Sequence, residues 1–330
     1  MRRPPLTGAA SRRAVLALAG LGALASPAAA QTAFPARGIT LIQPFPPGGS
    51  SDLTARAVAE LLSRELGRPV VVDNKPGGGT SIASTFVTQS RPDGYTLLVG
   101  SPSLAINPAL QPTLTPRDPQ RELAPIGTTY RSPYVLVVNA ALPAASIAEL
   151  VALARAQPGT LNFASAGIGS TNHLALELFR SLAGADLVHV PYRGSVASLL
   201  DLRMGRVQGY FGGSTEVGPL IREGAIRALG ITSLDRLATF PDVPALAESL
   251  PGFEVNFWQG LFAPAGTPPE VIATLEAALL RVTRGGELSA KLSAQGVQIS
   301  PGGAEDLRRL LAAETEKWGR VIRAANIRLE

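Results

Sequence analysis

The chain has 330 residues, 45% of them hydrophobic, no cysteine, and 30 basic residues against 25 acidic ones. The absence of cysteine excludes disulfides, thiolate metal sites and cysteine nucleophiles, so the fold must be stabilised by its core alone, which a chain of this length can build. Four of the basic residues, Arg2, Arg3, Arg12 and Arg13, fall in the first thirty positions; beyond these, 26 basic residues face 25 acidic ones with no Lys/Arg cluster suited to a phosphate backbone, and nucleic acid is not an expected partner.

Those four arginines precede an apolar run, VLALAGLGALASPAAA, that closes on Ala28-Ala29-Ala30 before Gln31. Residues 1–30 therefore read as an export signal cut after about Ala30. SRRAVL, Ser11 to Leu16, carries the twin-arginine pattern of Tat signals, with an ordinary Sec signal as the alternative. Glycines and Pro27 interrupt the run, and no later stretch is apolar for the roughly 18 residues a spanning helix needs. A soluble protein outside the cytoplasm is expected.

In chain order, ITLIQPF reads as a strand, PPGGSSD as a turn, and LTARAVAELLSREL as a helix whose apolar stripe is Leu53, Ala57 and Leu61 with Val58, Leu62 and Leu66 beside them. PVVVDN, the turn KPGGG, the helical SIASTFVTQS, the turn RPDG and the strand YTLLVG continue the alternation, which argues for a parallel sheet covered by helices. A second series starts at YVLVVN. It runs through helix SIAELVALARAQ, strand LNFAS, turn SAGIGSTNH, helix LALELFRSLAG, strand LVHVPY, helix VASLLDLRMG and strand VQGYFG. FEVNFWQGLFAPAG then crosses back, and two amphipathic helices around PEVIATLEAALLRV and AEDLRRLLAAETEKWGRVIRAA close the chain. This order predicts two α/β lobes joined by crossings at about 131–135 and 255–262: lobe 1 from 31–131 with 259–330, and lobe 2 from 132–258.

Two strand-to-helix turns carry the candidate chemistry. The first backbone N–H groups of a helix lack intrahelical partners and are free to bind an anion. Gly48, Gly49, Gly167 and Gly169 let a ligand approach the main chain, while Ser50, Ser51, Ser170 and Thr171 add hydroxyl donors or caps. The same residue types also start helices that bind nothing. Phosphate chemistry finds little support: no lysine follows a glycine as a P-loop requires, and GIGSTN lacks the third glycine of the dinucleotide fingerprint. A nucleophile elbow needs G-x-S-x-G, and GTSIA at 79–83 departs at its end. His173 and Glu177, four apart, are an incomplete metal pair. Asp52 reads as a helix cap or a ligand partner; Arg193 as a bidentate carboxylate donor or a surface residue; Tyr192 as cleft lining; Phe45 and Trp258 as core or hinge packing; His189 as a core or strand-edge residue.

Taken together, FPARGITLIQPFPPGGSSDLTAR, VVVDNKPGGG, RPDGYTLL, INPAL, LNFASAGIGSTNHLALELF and HVPYRG resemble the Bug family, the periplasmic solute receptors of tripartite tricarboxylate transporters, over nearly the whole chain after the signal. The resemblance implies an α/β, two-lobed periplasmic binding protein (a Venus flytrap), each lobe a mainly parallel sheet flanked by helices and hinged by the two crossing segments. It implies a monomeric, non-catalytic receptor that closes on a small organic carboxylate and is read by membrane permease subunits, with no cofactor and no metal. Site residues carried over are Pro47, Gly48, Gly49, Ser50 and Asp52 in lobe 1, and Ser165, Gly167, Gly169, Ser170, Thr171, His173, Tyr192 and Arg193 in lobe 2. An exported serine-dependent hydrolase, and a sensory receptor that hands its closed form to a signalling protein, remain the alternatives. Three positions depart from the family: Gly212 stands where many relatives have Asp, Gly38 where proline is common, and Thr80 where another glycine is common.

Overall fold

The computed structural model describes residues 1, 34–48, 50–192, 194–292 and 297–328. The export-signal assignment falls outside the described residues, as do Gly49 and Arg193. Met1–Ala36 separate as a unit of their own; Arg37–Glu330 form a second, and the fold that follows belongs to it.

The elements of the first half are β1 (Ile39–Gln43), α1 (Ser50–Leu66), β2 (Val70–Asn74), α2 (Ser81–Thr88), β3 (Thr96–Gly100), α3 (Ser103–Leu110), α4 (Pro119–Glu122) and β4 (Leu123–Asn139). They are followed by α5 (Ile147–Ala156), β5 (Asn162–Ser165), α6 (Thr171–Ala183), β6 (Val188–Pro191), α7 (Ser195–Arg203), β7 (Gly209–Gly213), α8 (Ser214–Arg222) and β8 (Ile226–Ile231). The chain ends with α9 (Leu246–Ser249), β9 (Asn256–Pro264), α10 (Pro269–Arg284), α11 (Gly286–Leu292), β10 (Gln298–Gly302) and α12 (Ala304–Ala324).

The strands lie in the order β2-β1-β3-β9-β4-β7-β5-β6, with β8 and β10 also paired to β4. β2-β1-β3 and β7-β5-β6 are parallel runs, each the product of the strand-helix alternation visible in the sequence. Between them the sheet is antiparallel: β9 pairs with β3 and β4, and β7 and β8 pair with β4. β4 is the shared member. Its Leu123–Pro133 stretch faces β9, and from Tyr134 to Val138 it faces β7 instead. A parallel pair needs a long crossover, whereas an antiparallel neighbour can be reached by a strand that returns from a distant part of the chain. That is how residues 256–264 come to lie beside 123–133.

Helix α1 buries Val58, Leu61 and Leu62 of the expected stripe together with Ala55 and Ala59, while Leu53 is exposed. In the first turn the buried side chains are Asp52 and Thr54 rather than Leu53. Phe179, Phe211 and Phe253 pack with ring centroids 6.1 to 6.4 Å apart in a core that continues to Trp258 and Trp318. Trp258 packs at a tilt against Phe262 in that core, as the sequence reading of it as packing expects. Among the described residues, no helix is long and apolar enough to cross a membrane.

Thr80 explains one of the departures from the family. It has φ +80°, a left-handed conformation costly for a β-branched residue and free for glycine, and its Oγ1 is buried without a partner. Thr80→Gly is therefore expected to stabilise the protein by about 1 kcal/mol despite glycine's larger unfolded-state entropy. Urea unfolding checks this, and a loss of stability would show that the threonine is unstrained.

Candidate ligand-binding cleft

The turn after β1 is built around Asp52. Its carboxylate is buried and accepts hydrogen bonds from the Gly48 N–H (3.0 Å), Arg56 Nε (2.9 Å) and Asn74 Nδ2 (2.8 Å). Burial acts to raise its pKa, but the bonds from Arg56, Asn74 and Gly48 outweigh that and hold the carboxyl below its ordinary value. Asn74 also donates to the Phe45 carbonyl, tying strand β2 to the loop. On the preceding residue, Gln43 and Gln259 donate to the Ser51 carbonyl at 2.9 and 3.0 Å, and Gln259 donates to the Ser51 hydroxyl at 2.8 Å. Two buried amides thus fix the start of α1 against β1 and β9.

This turn opens on a cavity of about 610 Å³. Pro46, Pro47, Phe45 and Ser51 form one part of its wall. Tyr130, Ser132 and Tyr134 contribute another, alternate residues of β4 that share one face, joined by Phe257, which sits opposite Ser132 in the β4–β9 ladder. Tyr130 stacks on Phe257 at 5.8 Å, and Phe45 tilts against Phe257 at 6.2 Å. Phe45, which the sequence places in core or hinge packing, is half-buried and lines the cavity. The Tyr130 hydroxyl bonds Ser51 and the Tyr134 hydroxyl bonds Thr171; burial pushes both phenol pKa values up.

The remaining wall comes from two more helix starts. Gly194, Ser195 and Val196 begin α7, and Gly213, Thr215 and Glu216 begin α8. The α8 start is missing from the sequence reading, although Gly212-Gly213-Ser214-Thr215-Glu216 repeats the order of Gly48-Gly49-Ser50-Ser51-Asp52. Glu216 is the only charged residue among the described lining residues. Its side chain is open to solvent, yet the walls of the cleft crowd it. That desolvation raises its pKa, against the Ser195 hydroxyl and the Gly213 N–H, which favour the charged form. Gly212 lies just beneath: a Cβ there would stand 2.3 Å from Val217 Cγ1 and 2.9 Å from Tyr210 Cε1. Tyr210 and Val217 occupy the space that a side chain at this position needs.

The Ser165–His173 turn is organised differently. Ser165 is fully buried; its hydroxyl contacts His189 Nε2 at 2.6 Å and accepts from the Gly167 N–H at 3.1 Å. Ser170 caps α6, Asn172 Oδ1 accepts from the Ala166 N–H, and the Gly169 N–H donates to His173 Nδ1 at 3.0 Å. His173 stacks on His189 with centroids 3.8 Å apart and Nε2 3.6 Å from Glu177. Gly169 has φ +76°, and a Cβ would meet Leu110 of α3 at 2.1 Å. These amides are thus engaged within the turn, and the segment touches the cavity wall through Thr171 and its bond to Tyr134. Tyr192 turns its hydroxyl to Asp201 at 2.7 Å.

Of the sequence-predicted residues, Pro47 lines the cavity. Gly48 and Asp52 brace the turn beside it, and Ser50 opens α1 there. Ser165, Gly167, Gly169, Ser170 and His173 form the closed turn, Thr171 backs Tyr134, and Tyr192 faces α7. A second cavity, about 440 Å³, lies between the C-terminal ends of α6 and α12; its charged residues Glu177, Arg180 and Asp186 are already paired with one another.

Residues 54–327 match the model of the tripartite tricarboxylate transporter family receptor. The chain belongs to this receptor family. Protein BugT of Bordetella pertussis is 37% identical over 310 residues, 93% of this chain and 94% of BugT. Among solved structures, R. palustris Rpa4515 with adipate is 34% identical with a TM-score of 0.77, covering 89% of this chain and 99% of that one. MatC from Rhodopseudomonas palustris with bound malate is 31% identical with a TM-score of 0.74, covering 88% and 100%. The fold of this receptor-family chain is accordingly the two-lobed α/β fold of periplasmic solute-binding proteins.

The imidazole pair yields a pH signature. Burial, then the neighbouring His173 and Arg180, lower the His189 pKa to about 4, with Glu177 opposing. The fold thus favours neutral His189; its contribution to stability is complete above the unfolded pKa of about 6.5 and is lost as pH falls through about 4. The melting temperature is expected to fall between pH 6.5 and 4, and to fall less steeply in His189→Gln. Equal slopes in the two proteins would remove His189 as the cause.

Proposed function

We propose that this chain is the periplasmic receptor of a tripartite tricarboxylate-type transporter, capturing one small organic carboxylate without chemical change. It acts as a monomer and presents its closed form to membrane permease subunits. In this reading residues 1–30 direct export and are removed after about Ala30. Lobe 1 comprises 31–131 with 259–330, lobe 2 comprises 132–258, and the ligand lies between them.

One observation carries the reading: the starts of α1, α7 and α8 converge on a single 610 Å³ cavity whose other walls are aromatic. Helix-start amides suit a carboxylate, each charge-assisted bond contributing about 1.5–3 kcal/mol and the helix-end field some 0.3–1 kcal/mol more. Three or four such contacts, less the cost of ordering, support binding near −8 kcal/mol, which is a micromolar Kd. Closure is favourable because the closed form offers donors from both sides at once. The adipate and malate bound in two solved relatives supply the carboxylate class. Hydrolysis finds no comparable support, since Ser165 is itself fully buried and its hydroxyl is already engaged by His189 Nε2 and the Gly167 N–H.

Val196 is 84% exposed and borders the cavity, so filling the cleft from this position leaves the fold untouched. In a calorimetric screen of organic mono- and dicarboxylates, at least one acid is expected to bind with a Kd of about 1–100 μM and without turnover. Val196→Trp is expected to weaken that acid about tenfold or more at unchanged melting temperature. Undiminished affinity in the variant would remove this cavity as the binding site.

A further inference from the structure

We propose that Glu216 sorts ligands in this cleft, admitting a carboxylate that bears a hydrogen-bond donor at the far end of a ring-sized apolar body and turning away a second carboxylate. This rests on the receptor reading above.

The argument begins with two copies of one local sequence. Gly-Gly-Ser-Ser-Asp at 48–52, after the loop that follows β1, and Gly-Gly-Ser-Thr-Glu at 212–216, at the end of β7, each lead into a helix, and each places an acidic residue in the first helical turn. Their acids have opposite fates. Asp52 is buried, paired with Arg56 and bonded to Asn74 and the Gly48 N–H, so its charge is spent inside lobe structure. Glu216 is one methylene longer and lines the cavity, with the Ser195 hydroxyl and the Gly213 N–H as its partners. An ionised carboxylate has about four acceptor positions. Two donors leave acceptor capacity on a group that borders the cavity.

The electrostatic surroundings reinforce this. No described lining residue is cationic, and the negative field of Glu216 reaches the hydroxyls of Tyr134 and Tyr210, contributing to the rise of both phenol pKa values. Arg131, adjacent in sequence to two lining residues, sits on the opposite face of β4, where its charge is felt by Asp306. A ligand carboxylate brought to Glu216 would therefore add a like charge at a desolvated site. An O–H or N–H group brought there bonds an acceptor position that no described residue fills, and a site built to accept a bond discriminates strongly against a group that cannot donate one.

The geometry separates the two ends of such a ligand. The Ser51 end of the cavity is marked by its bond to Tyr130 and the Glu216 end by its proximity to Tyr134, four residues further along β4, roughly 13 Å at the rise of an extended strand. Phe45, Phe257 and Val297 line the same cavity with apolar surface. This arrangement fits a flat apolar body with its carboxylate at α1 and its donor at α8.

The test uses the protein without its first thirty residues and a matched set of para-substituted phenylacetates whose far group is hydroxyl, aminomethyl or carboxylate, with adipate as a flexible dicarboxylate. Isothermal titration at pH 7.5 is expected to show the hydroxyl- or aminomethyl-ended acid binding about tenfold or more tightly than the carboxylate-ended one, the two donor arms separating a neutral from a cationic preference. In Glu216→Gln the ratio is expected to fall below about threefold through a gain for the dicarboxylates. Glu216→Ser serves as a second variant, and matched thermal melts establish that each is folded. Equal or tighter binding of the carboxylate-ended acids by the wild type, or an unchanged ratio in both variants, overturns the role of Glu216 while leaving carboxylate capture standing. If none of these acids, nor any in the wider organic-acid screen, binds the wild type, the receptor reading and this inference fall together.

Discussion

An α-helix begins with amides that its own backbone leaves unsatisfied, and the cleft depends on where the starts of three helices are fixed. Strand β7 runs out at Gly213 and the chain turns at once into α8, whereas α1 and α7 begin a few residues beyond β1 and β6. The turn after β1 is fastened by the buried side chains of Gln43, Gln259 and Asp52, with the half-buried Asn74 beside them. Each of those buried groups is costly to leave unpaired, so the turn they satisfy is held in one geometry rather than several. The carboxylate-binding reading rests on that rigidity, because donors placed before the ligand arrives need no reorganisation when it does.

The second constraint is β4. A single 17-residue strand pairs with β9 along one stretch and with β7 and β8 along the next, so its Tyr130, Ser132 and Tyr134 line a cavity to which α1 and α8 also contribute. The bonds from Tyr130 to Ser51 and from Tyr134 to Thr171 make this aromatic wall a strut between turns remote in sequence. The histidine pair and its Ser165 contact stiffen a turn that closes on itself behind the wall.

Much of this was legible in the sequence for physical reasons. Strand-helix alternation with glycine turns gives away parallel α/β units, and β1, β2, β3, β5, β6 and β7 fall where the apolar runs place them. The long antiparallel centre was harder, since pairing between 123–133 and 256–264 leaves no local trace. The α8 start was missed because Gly218 and Pro219 inside the helix are residues that normally end one, hiding the resemblance between Gly212–Glu216 and Gly48–Asp52. Conversely, the glycines of SAGIGSTNH advertise open amides. Only the side-chain partners, Ser165, Asn172 and His173, reveal that several are already engaged. Helix-start grammar identifies where donors arise; which of them face a ligand is decided by neighbours far along the chain.

The central claim is that a carboxylate is held by main-chain amides at these helix starts. A crystal structure of the protein with a tight-binding organic acid tests it most directly. The account predicts carboxylate oxygens within about 2.7–3.2 Å of backbone nitrogens in the first turn of α1, with α7 or α8 reaching the same molecule. A ligand seated instead in the 440 Å³ cavity beside Arg180, or held without any amide from these turns, would contradict it.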